Sequence, residues 1–176
     1  MGYNESKRII IILGVMKRGK KMSISQKEIN LGTENLGLDP DIFAKILELY
    51  RNNSYAQLTG IKIVALGPGK LIAEMVVEKQ NSNMAGTLHG GATATLVDVC
   101  MGMACFTKGS IVVSGNINVS YLAAGKAGDK IIAVGQVIRA GKTAFFAEAC
   151  LEDENGKIIA TGTGTFFVKE TFAEQN

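Results

Sequence analysis

The segment TLHGGATATLVD, residues 87–98, combines the only histidine of the chain, two adjacent glycines and one aspartate with otherwise apolar or small residues. A carboxylate in apolar surroundings is costly unless it is paired or has a function. Asp98 could therefore serve as a general base. It could equally be a structural hydrogen-bonding group, so the segment alone does not decide between catalysis and structure.

The apolar run from Leu88 to about Phe106 contains no proline and is too long for a typical strand, which predicts a helix. At the start of such a helix the N–H groups of Gly90 and Gly91 lack intrahelical partners, and the helix dipole favours negative charge. Glycine lets a ligand carbonyl come close enough for these N–H groups to stabilise an oxyanion. His89 could also simply cap the helix start.

The two faces of this helix differ in side-chain size. A bulky apolar face would pack under a sheet, and it contains Leu88, Ala92, Leu96, Val99, Met103 and Phe106. A face of small residues around one carboxylate would let another backbone come close, and it contains Gly91, Ala94, Thr95, Asp98, Gly102 and Cys105.

Gly90 and Asp98 stand eight residues apart, which is ~12 Å along a helix at ~1.5 Å per residue. This distance is too large for both to act on one carbonyl group. Two such helices running antiparallel in a symmetric dimer would bring Gly90 of one subunit towards Asp98 of the other. The spacing therefore predicts a two-fold interface with two shared sites.

Other segments supply the elements around this helix. Asp39-Pro40 predicts the start of an amphipathic helix, and Gly67-Pro68-Gly69 predicts a turn between two strands. Four strand-like runs follow the long helix in hairpin succession, with a turn at Asn155-Gly156; they cover residues 111–121, 130–140, 142–152 and 157–168. The pattern predicts an α+β fold in which an antiparallel sheet wraps around a long central helix.

Composition and charge narrow the class of protein. The length of 176 residues fits one domain. Six basic residues against Glu5 give the first 21 residues a net charge of +5, which leaves −2 for the remaining chain, so we expect no nucleic-acid partner. Cys100, Cys105 and Cys150 form no metal-binding pattern, and we expect buried thiols in a cytoplasmic protein without a metal site.

The start of the chain predicts an extension before the domain. The apolar run of residues 9–16 is too short to span a membrane, and no small-residue cleavage site follows it. Arg18 to Met22 would be encoded by a sequence similar to a bacterial ribosome-binding site and start codon, so we expect residues 1–21 to be a translated leader. We expect an N-terminal extension over residues 1–37, partly disordered or a translated leader, the domain over 38–170, and a C-terminal tail over 171–176.

Three stretches carry a family resemblance: NMAGTLHGGATATLVD, SGNINVSYLAAGKAGD and VIRAGKTAFFAEACLEDENGKIIATGTGTF. Together they resemble the hotdog-fold acyl-CoA thioesterases of the phenylacetate-degradation (PaaI) and thioesterase superfamily member 2 group. The resemblance spans roughly residues 55 to 168, and the HGG motif followed by Asp98 is its most specific part. It implies a hotdog fold, a homodimer that pairs into a homotetramer, and thioester hydrolysis with no cofactor, because coenzyme A is part of the substrate.

The resemblance also implies roles for single residues. Asp98 would be the catalytic carboxylate, as nucleophile or as base on water, and Gly90 of the neighbouring subunit would supply the oxyanion N–H. Asn83 and His89 would position the thioester carbonyl or the water, which Ser114 would assist. The coenzyme A channel would be lined by Gly91, Tyr121, Lys126, Arg139, Gly141, Lys142, Thr143 and Ala144, with the three cationic side chains near its phosphates.

The sequence does not decide which acyl group is bound, and two other functions have to be considered. The substrate could carry an aryl-acetyl, a hydroxybenzoyl-like or a fatty acyl group. The choice depends on how the side chains of four residues fill the channel: Met84, Met101, Met103 and Phe106. An acyl-CoA-binding regulator usually carries a DNA-reading domain, for which residues 1–38 are too short, and it would not need Asp98. An acyl-thioester hydratase or dehydratase needs an acid and a base around one acyl carbon, and His89 keeps that alternative open.

Overall fold

The computed structural model describes residues 32–172. In chain order the elements are β1 (Glu34–Asn35), α1 (Pro40–Arg51), α2 (Ser54–Leu58), β2 (Lys62–Gly67), β3 (Lys70–Val76), a 3₁₀ turn (Lys79–Asn81), α3 (Gly90–Phe106), β4 (Ser110–Tyr121), β5 (Lys130–Ala140), β6 (Ala144–Glu152) and β7 (Ile158–Thr171). The leader expected at residues 1–21 and the last four residues of the expected tail lie outside the described residues. The domain boundaries stay predictions.

Seven strands form one sheet in the order β1-β2-β3-β5-β6-β7-β4. The two-residue strand β1 runs parallel to β2, and all other neighbours are antiparallel. Helix α3 contacts β3, β4, β5, β6 and β7, so the sheet wraps around it. The predicted α+β arrangement with a long central helix is confirmed.

Helix α1 forms where its sequence predicts it. The Asp39 carboxylate accepts hydrogen bonds from the backbone N–H groups of Asp41 and Ile42, at 3.0 Å and 3.3 Å, and Pro40 occupies the first helical position. The apolar face of α1 buries Ile46, Leu47 and Tyr50 in the core.

The predicted hairpin succession of the last four strands is wrong for its first member. Strand β4 does not pair with β5; it pairs with β7, while β5 pairs with β3. The connection over residues 122–129 is longer than a typical hairpin loop. It crosses beneath the start of α3, where the Leu88 N–H donates to the Gly125 carbonyl at 2.8 Å. Strand β4 therefore becomes one edge strand of the sheet, opposite β1.

The other predicted turns are confirmed, with small changes in strand bounds. Gly156 has a positive φ of 78° and closes the β6–β7 hairpin through its N–H, which donates to the Asp153 carbonyl. Strand β6 begins at Ala144 rather than at residue 142, because the preceding residues form the β5–β6 turn.

The buried face of α3 is rotated from the predicted bulky face. Its most buried side chains include Val97, Cys100 and Met101, whereas Val99 and Phe106 are only half-buried. The sheet covers the helix from a direction that the side-chain sizes alone do not reveal. The predicted small-residue face is half-exposed or exposed except for Cys105, which is fully buried.

Two glycines let α3 lie very close to the sheet. A methyl group on Gly135 of β5 would overlap the backbone carbonyl of Cys100, and one on Gly162 of β7 would overlap the Val97 side chain. These two strand glycines are thus packing residues. They determine how deeply the helix sits in the sheet.

Replacing Gly135 with alanine is expected to destabilise the fold strongly. The new Cβ would meet backbone, which cannot rotate away, so we expect a loss of about 3 kcal/mol in the free energy of unfolding. Urea denaturation followed by circular dichroism measures it. Gly90→Ala is the control, because its Cβ would make only an ordinary contact of 3.6 Å with Tyr121. Equal stability of both variants would contradict the close packing.

Candidate active site

His89 caps the start of α3. Its Nδ1 accepts a hydrogen bond from the Gly91 N–H at 2.8 Å, and its backbone is extended, as expected of an N-cap residue. A ring nitrogen that accepts carries no hydrogen, so the neutral imidazole has its hydrogen on Nε2. His89 therefore presents a donor, and not a base, at the exposed side of the ring.

The Gly90 N–H remains available at this helix start. Gly91 is used by the histidine cap, whereas Gly90 N–H has no acceptor among residues 32–172. The Tyr121 ring lies beside Gly90, and its hydroxyl donates to the Gly90 carbonyl at 3.2 Å. The arrangement leaves a backbone donor pointing away from the helix, which suits an anionic oxygen.

A buried asparagine, which the sequence analysis missed, holds the loop before α3. The His89 N–H donates to the Asn81 carbonyl at 2.7 Å, and the Asn81 side chain donates to the carbonyls of Thr59 and Val76. Asn81 is 4% exposed. A polar residue in a polar loop gives no sign of such burial, so the sequence alone could not single it out.

Asn83 organises the same loop. Its Oδ1 accepts from the N–H groups of Ala85 and Thr87, at 2.9 Å and 3.2 Å, and its Nδ2 donates to the Thr87 hydroxyl at 2.9 Å. One amide hydrogen of Asn83 is left for a ligand.

A cavity of about 310 Å³ opens at the start of α3 and includes Gly90 and Thr93. The segment Tyr121–Gly125 also lines it. Lys126 follows this segment and forms an isolated β-bridge with Thr87, which is itself a lining residue. The structure thus brings together the predicted residues Asn83, His89, Gly90, Gly91, Tyr121 and Lys126.

Asp98 and Ser114 form a second group. The Ser114 hydroxyl donates to Asp98 Oδ1 at 2.7 Å, and the other carboxylate oxygen accepts no hydrogen bond from the described part of the chain. Ser114 lies opposite the buried Phe166, so both side chains face the helix. The strand register shifts directly after Ser114, as in a β-bulge, and such bulges re-aim side chains.

A cavity of about 150 Å³ lies beside this carboxylate. Of the methionines and the phenylalanine expected to fill an acyl channel, Met103 and Phe106 line it. Met84 is instead fully exposed and Met101 is buried in the core. Helix α1 contributes lining residues that the sequence analysis missed, because a contact between elements so distant in sequence leaves no local signal.

The remaining predicted residues form a third group in the β5–β6 turn: Arg139, Gly141, Lys142, Thr143 and Ala144. Strand β5 separates this turn from Lys126 by ~30 Å at ~3.3 Å per residue. A cavity of about 390 Å³ beside the turn includes Lys70 and Lys108, two cations that the sequence analysis missed. One subunit therefore does not bring all three predicted cations to one place.

Gly90 and Asp98 likewise open into different cavities of the same subunit. This agrees with their expected separation along one helix. Among residues 32–172 there is no group of three or more His, Cys, Asp or Glu side chains that could hold a metal ion. In the same part of the chain no helix is long and apolar enough to cross a membrane.

Known proteins share this architecture. The thioesterase superfamily matches residues 85–160. Mouse acyl-coenzyme A thioesterase 13 is 42% identical over 111 residues, which are 61% of this chain and 79% of that protein. The structure of Escherichia coli PaaI, from the phenylacetic acid degradation operon, matches with a TM-score of 0.73 and 25% identity over 77% of this chain and 98% of that one. Streptococcus mutans smu.793, solved bound to acetyl-CoA, matches with a TM-score of 0.62 and 26% identity over 63% and 90%.

The fold is thus the hotdog fold of the thioesterases, as the sequence resemblance implies. The chain belongs to the thioesterase superfamily. It is a hydrolase that acts on thioester bonds.

A thioester hydrolase releases a thiol, so the protein's own thiols matter in an assay. None of the three cysteines forms a disulfide. Burial raises the pKa of the Cys105 thiol to about 12 and that of Cys100 further. Both thiols are fully buried, whereas Cys150 is half-buried.

We expect Cys100 and Cys105 to be unreactive towards a water-soluble disulfide reagent at pH 8 in the native protein, because they are neutral and shielded. Denaturant should expose all three thiols. Absorbance of the released reagent, with peptide mapping of modified residues, measures this. Fast labelling of Cys100 without denaturant would contradict the packing of α3.

Proposed function

We propose that this protein is an acyl-CoA thioesterase that converts an acyl-CoA to a free acid and CoA at two sites shared between the subunits of a homodimer. The observation that carries the proposal is the Ser114–Asp98 hydrogen bond beside an apolar cavity, while the unpaired Gly90 N–H opens elsewhere. The printed names of relatives, and acetyl-CoA bound to one structural neighbour, support coenzyme A as part of the substrate.

Asp98 has one oxygen held by Ser114 and a second oxygen that accepts no hydrogen bond from residues 32–172. This second oxygen attacks the thioester carbonyl carbon and expels the CoA thiolate, leaving an anhydride for water to hydrolyse, or it takes a proton from an attacking water. Ser114 holds the carboxylate and assists the water. A thioester is activated enough for a carboxylate and an oxyanion hole to suffice, so the proposal needs no cofactor.

Three donors at the start of α3 serve the carbonyl oxygen. The Gly90 N–H binds the developing oxyanion, and the His89 Nε2–H and the remaining Asn83 amide hydrogen orient the carbonyl or the water. Because His89 Nδ1 is occupied by the cap, this ring is poorly suited to be the base of a hydratase.

Two features support the homodimer. Strand β4 is a 12-residue edge whose outer side pairs with no other described strand, and such edges invite pairing. The face of α3 that carries Asp98 and Gly102 is left half-exposed. Pairing β4 with its copy places two α3 helices antiparallel, so Gly90 of one subunit serves Asp98 of the other.

The same sharing of sites between subunits divides the coenzyme A channel between them. We place Gly91 and the segment from Tyr121 to Lys126 of one subunit on one side, and the Arg139–Ala144 turn of the partner on the other. Lys126, Arg139 and Lys142 are all exposed and can reach phosphates.

The outer face of the sheet supports a dimer of dimers. Val113 and Phe167 are cross-strand neighbours, 51% and 52% exposed, and Phe146 lies nearby on β6 at 44%. Covering these side chains with a second dimer removes apolar surface from water.

The three thiols without disulfides fit a cytoplasmic protein.

Asp98→Asn is expected to lower kcat for acyl-CoA hydrolysis by about 10³-fold or more, because the amide can neither attack nor accept the proton. The side chain keeps its shape and can still accept from Ser114, so folding should be unchanged. Release of free CoA from aromatic and aliphatic acyl-CoAs measures activity, with size-exclusion chromatography and thermal melting as controls.

Other products would indicate a different function. An enoyl or 3-hydroxyacyl thioester without free CoA would support a hydratase, and acyl-CoA binding without turnover would support a regulator. Either result with the wild-type protein would contradict the proposal.

A mixed-subunit experiment tests the shared site. Gly90→Pro removes the oxyanion N–H at the first helical position, where proline is tolerated, and should lower kcat by about 10²-fold or more. Co-expressing Gly90→Pro with Asp98→Asn forms heterodimers in which one site keeps both native residues. We expect recovery to about a quarter of the wild-type rate if subunits associate at random. If confirmed heterodimers showed no recovery of activity, a site shared between subunits would be refuted.

A further inference from the structure

The cavity beside Asp98 has a polar mouth and an apolar interior. Asp98, Ser114 and Asn53 are its polar lining residues, and Asn53 and Ser114 are exposed. Tyr50, Met103 and Phe166, which are 4%, 6% and 1% exposed, form its inner walls. A thioester carbonyl held at the carboxylate therefore directs its acyl group inwards, between α1 and α3.

The size of this cavity limits what can enter. Its volume is about 150 Å³. An apolar cavity of about 150 Å³ in another protein accommodates benzene. One aromatic ring or a short alkyl chain is therefore the bulk that fits, and a long fatty acyl chain would have to leave part of itself in water.

Helix α1 forms part of the cavity wall through two side chains, Leu49 and Tyr50. Tyr50 is fixed there by its hydroxyl, which donates to the Ile61 carbonyl, and burial raises its pKa so that it stays neutral. Leu49, one residue earlier, is half-buried and also lines the cavity. Both lie outside residues 85–160, which match the family.

We propose that Leu49 and Tyr50 determine the acyl specificity of this enzyme, by restricting substrates to acyl groups of about one ring or an equally small chain. The inference rests on the proposed function, because it needs Asp98 to hold the thioester at the cavity mouth. Leu49 is a specificity-determining residue here, with no part in bond cleavage.

The test measures kcat/KM for acetyl-, butyryl-, hexanoyl-, phenylacetyl-, octanoyl- and palmitoyl-CoA with wild type and two Leu49 variants. Wild type should prefer phenylacetyl or hexanoyl over palmitoyl. Leu49→Ala should raise the ratio of octanoyl to acetyl turnover about tenfold, since each additional buried methylene is worth about fourfold. Leu49→Phe should lower the ratio of phenylacetyl to acetyl turnover, because the larger side chain raises KM for phenylacetyl-CoA more than KM for acetyl-CoA.

Ile42→Ala is the matched control, because Ile42 is a half-buried residue of the same helix that does not line the cavity. It should leave the acyl profile unchanged. A wild-type preference for palmitoyl, or a profile that neither Leu49 variant alters, would overturn this inference alone. Absence of hydrolysis with every acyl-CoA would overturn the proposed function and this inference with it.

Discussion

The close contact between α3 and the glycines of the sheet governs the rest of the molecule. Gly135 and Gly162 admit the helix so deeply that Val97 and Cys100 lose all contact with water. Burial of one helix face leaves the opposite face outside the sheet. Asp98 lies on that uncovered face, so its accessibility follows from how the helix packs.

Local patterns predicted most elements but not how they meet. The central helix, the Asp39 cap and the Asn155-Gly156 turn depend on neighbours in sequence, and each is confirmed. The pairing of β4 with β7 depends on where α3 leaves room for a crossing chain, and period-two alternation carries no such information. The rotation of the buried helix face escaped prediction for the same reason.

The residues of the candidate site also differ in whether local sequence could predict them. The HGG segment was visible because glycines at a predicted helix start leave backbone N–H groups accessible to an anionic ligand, and this depends only on neighbours in sequence. Asn81 and Leu49 act through contacts with chain far away in sequence, and their types are ordinary for a loop and for an amphipathic helix. The residues proposed to carry the chemistry could thus be named from the sequence, whereas the residues that hold the loop before α3 or line the cavity from α1 required the fold.

The walls of the cavity divide into two groups with different constraints. Asp98 and Ser114 are joined by a hydrogen bond, and a change in either affects the carboxylate that we propose to react. Leu49 and Tyr50 belong to α1, which contributes no charged side chain to the cavity lining. Apolar walls tolerate volume changes better than a paired carboxylate tolerates loss of its partner. Under the proposed function, acyl preference can therefore change on α1 while the carboxylate on α3 keeps its partner.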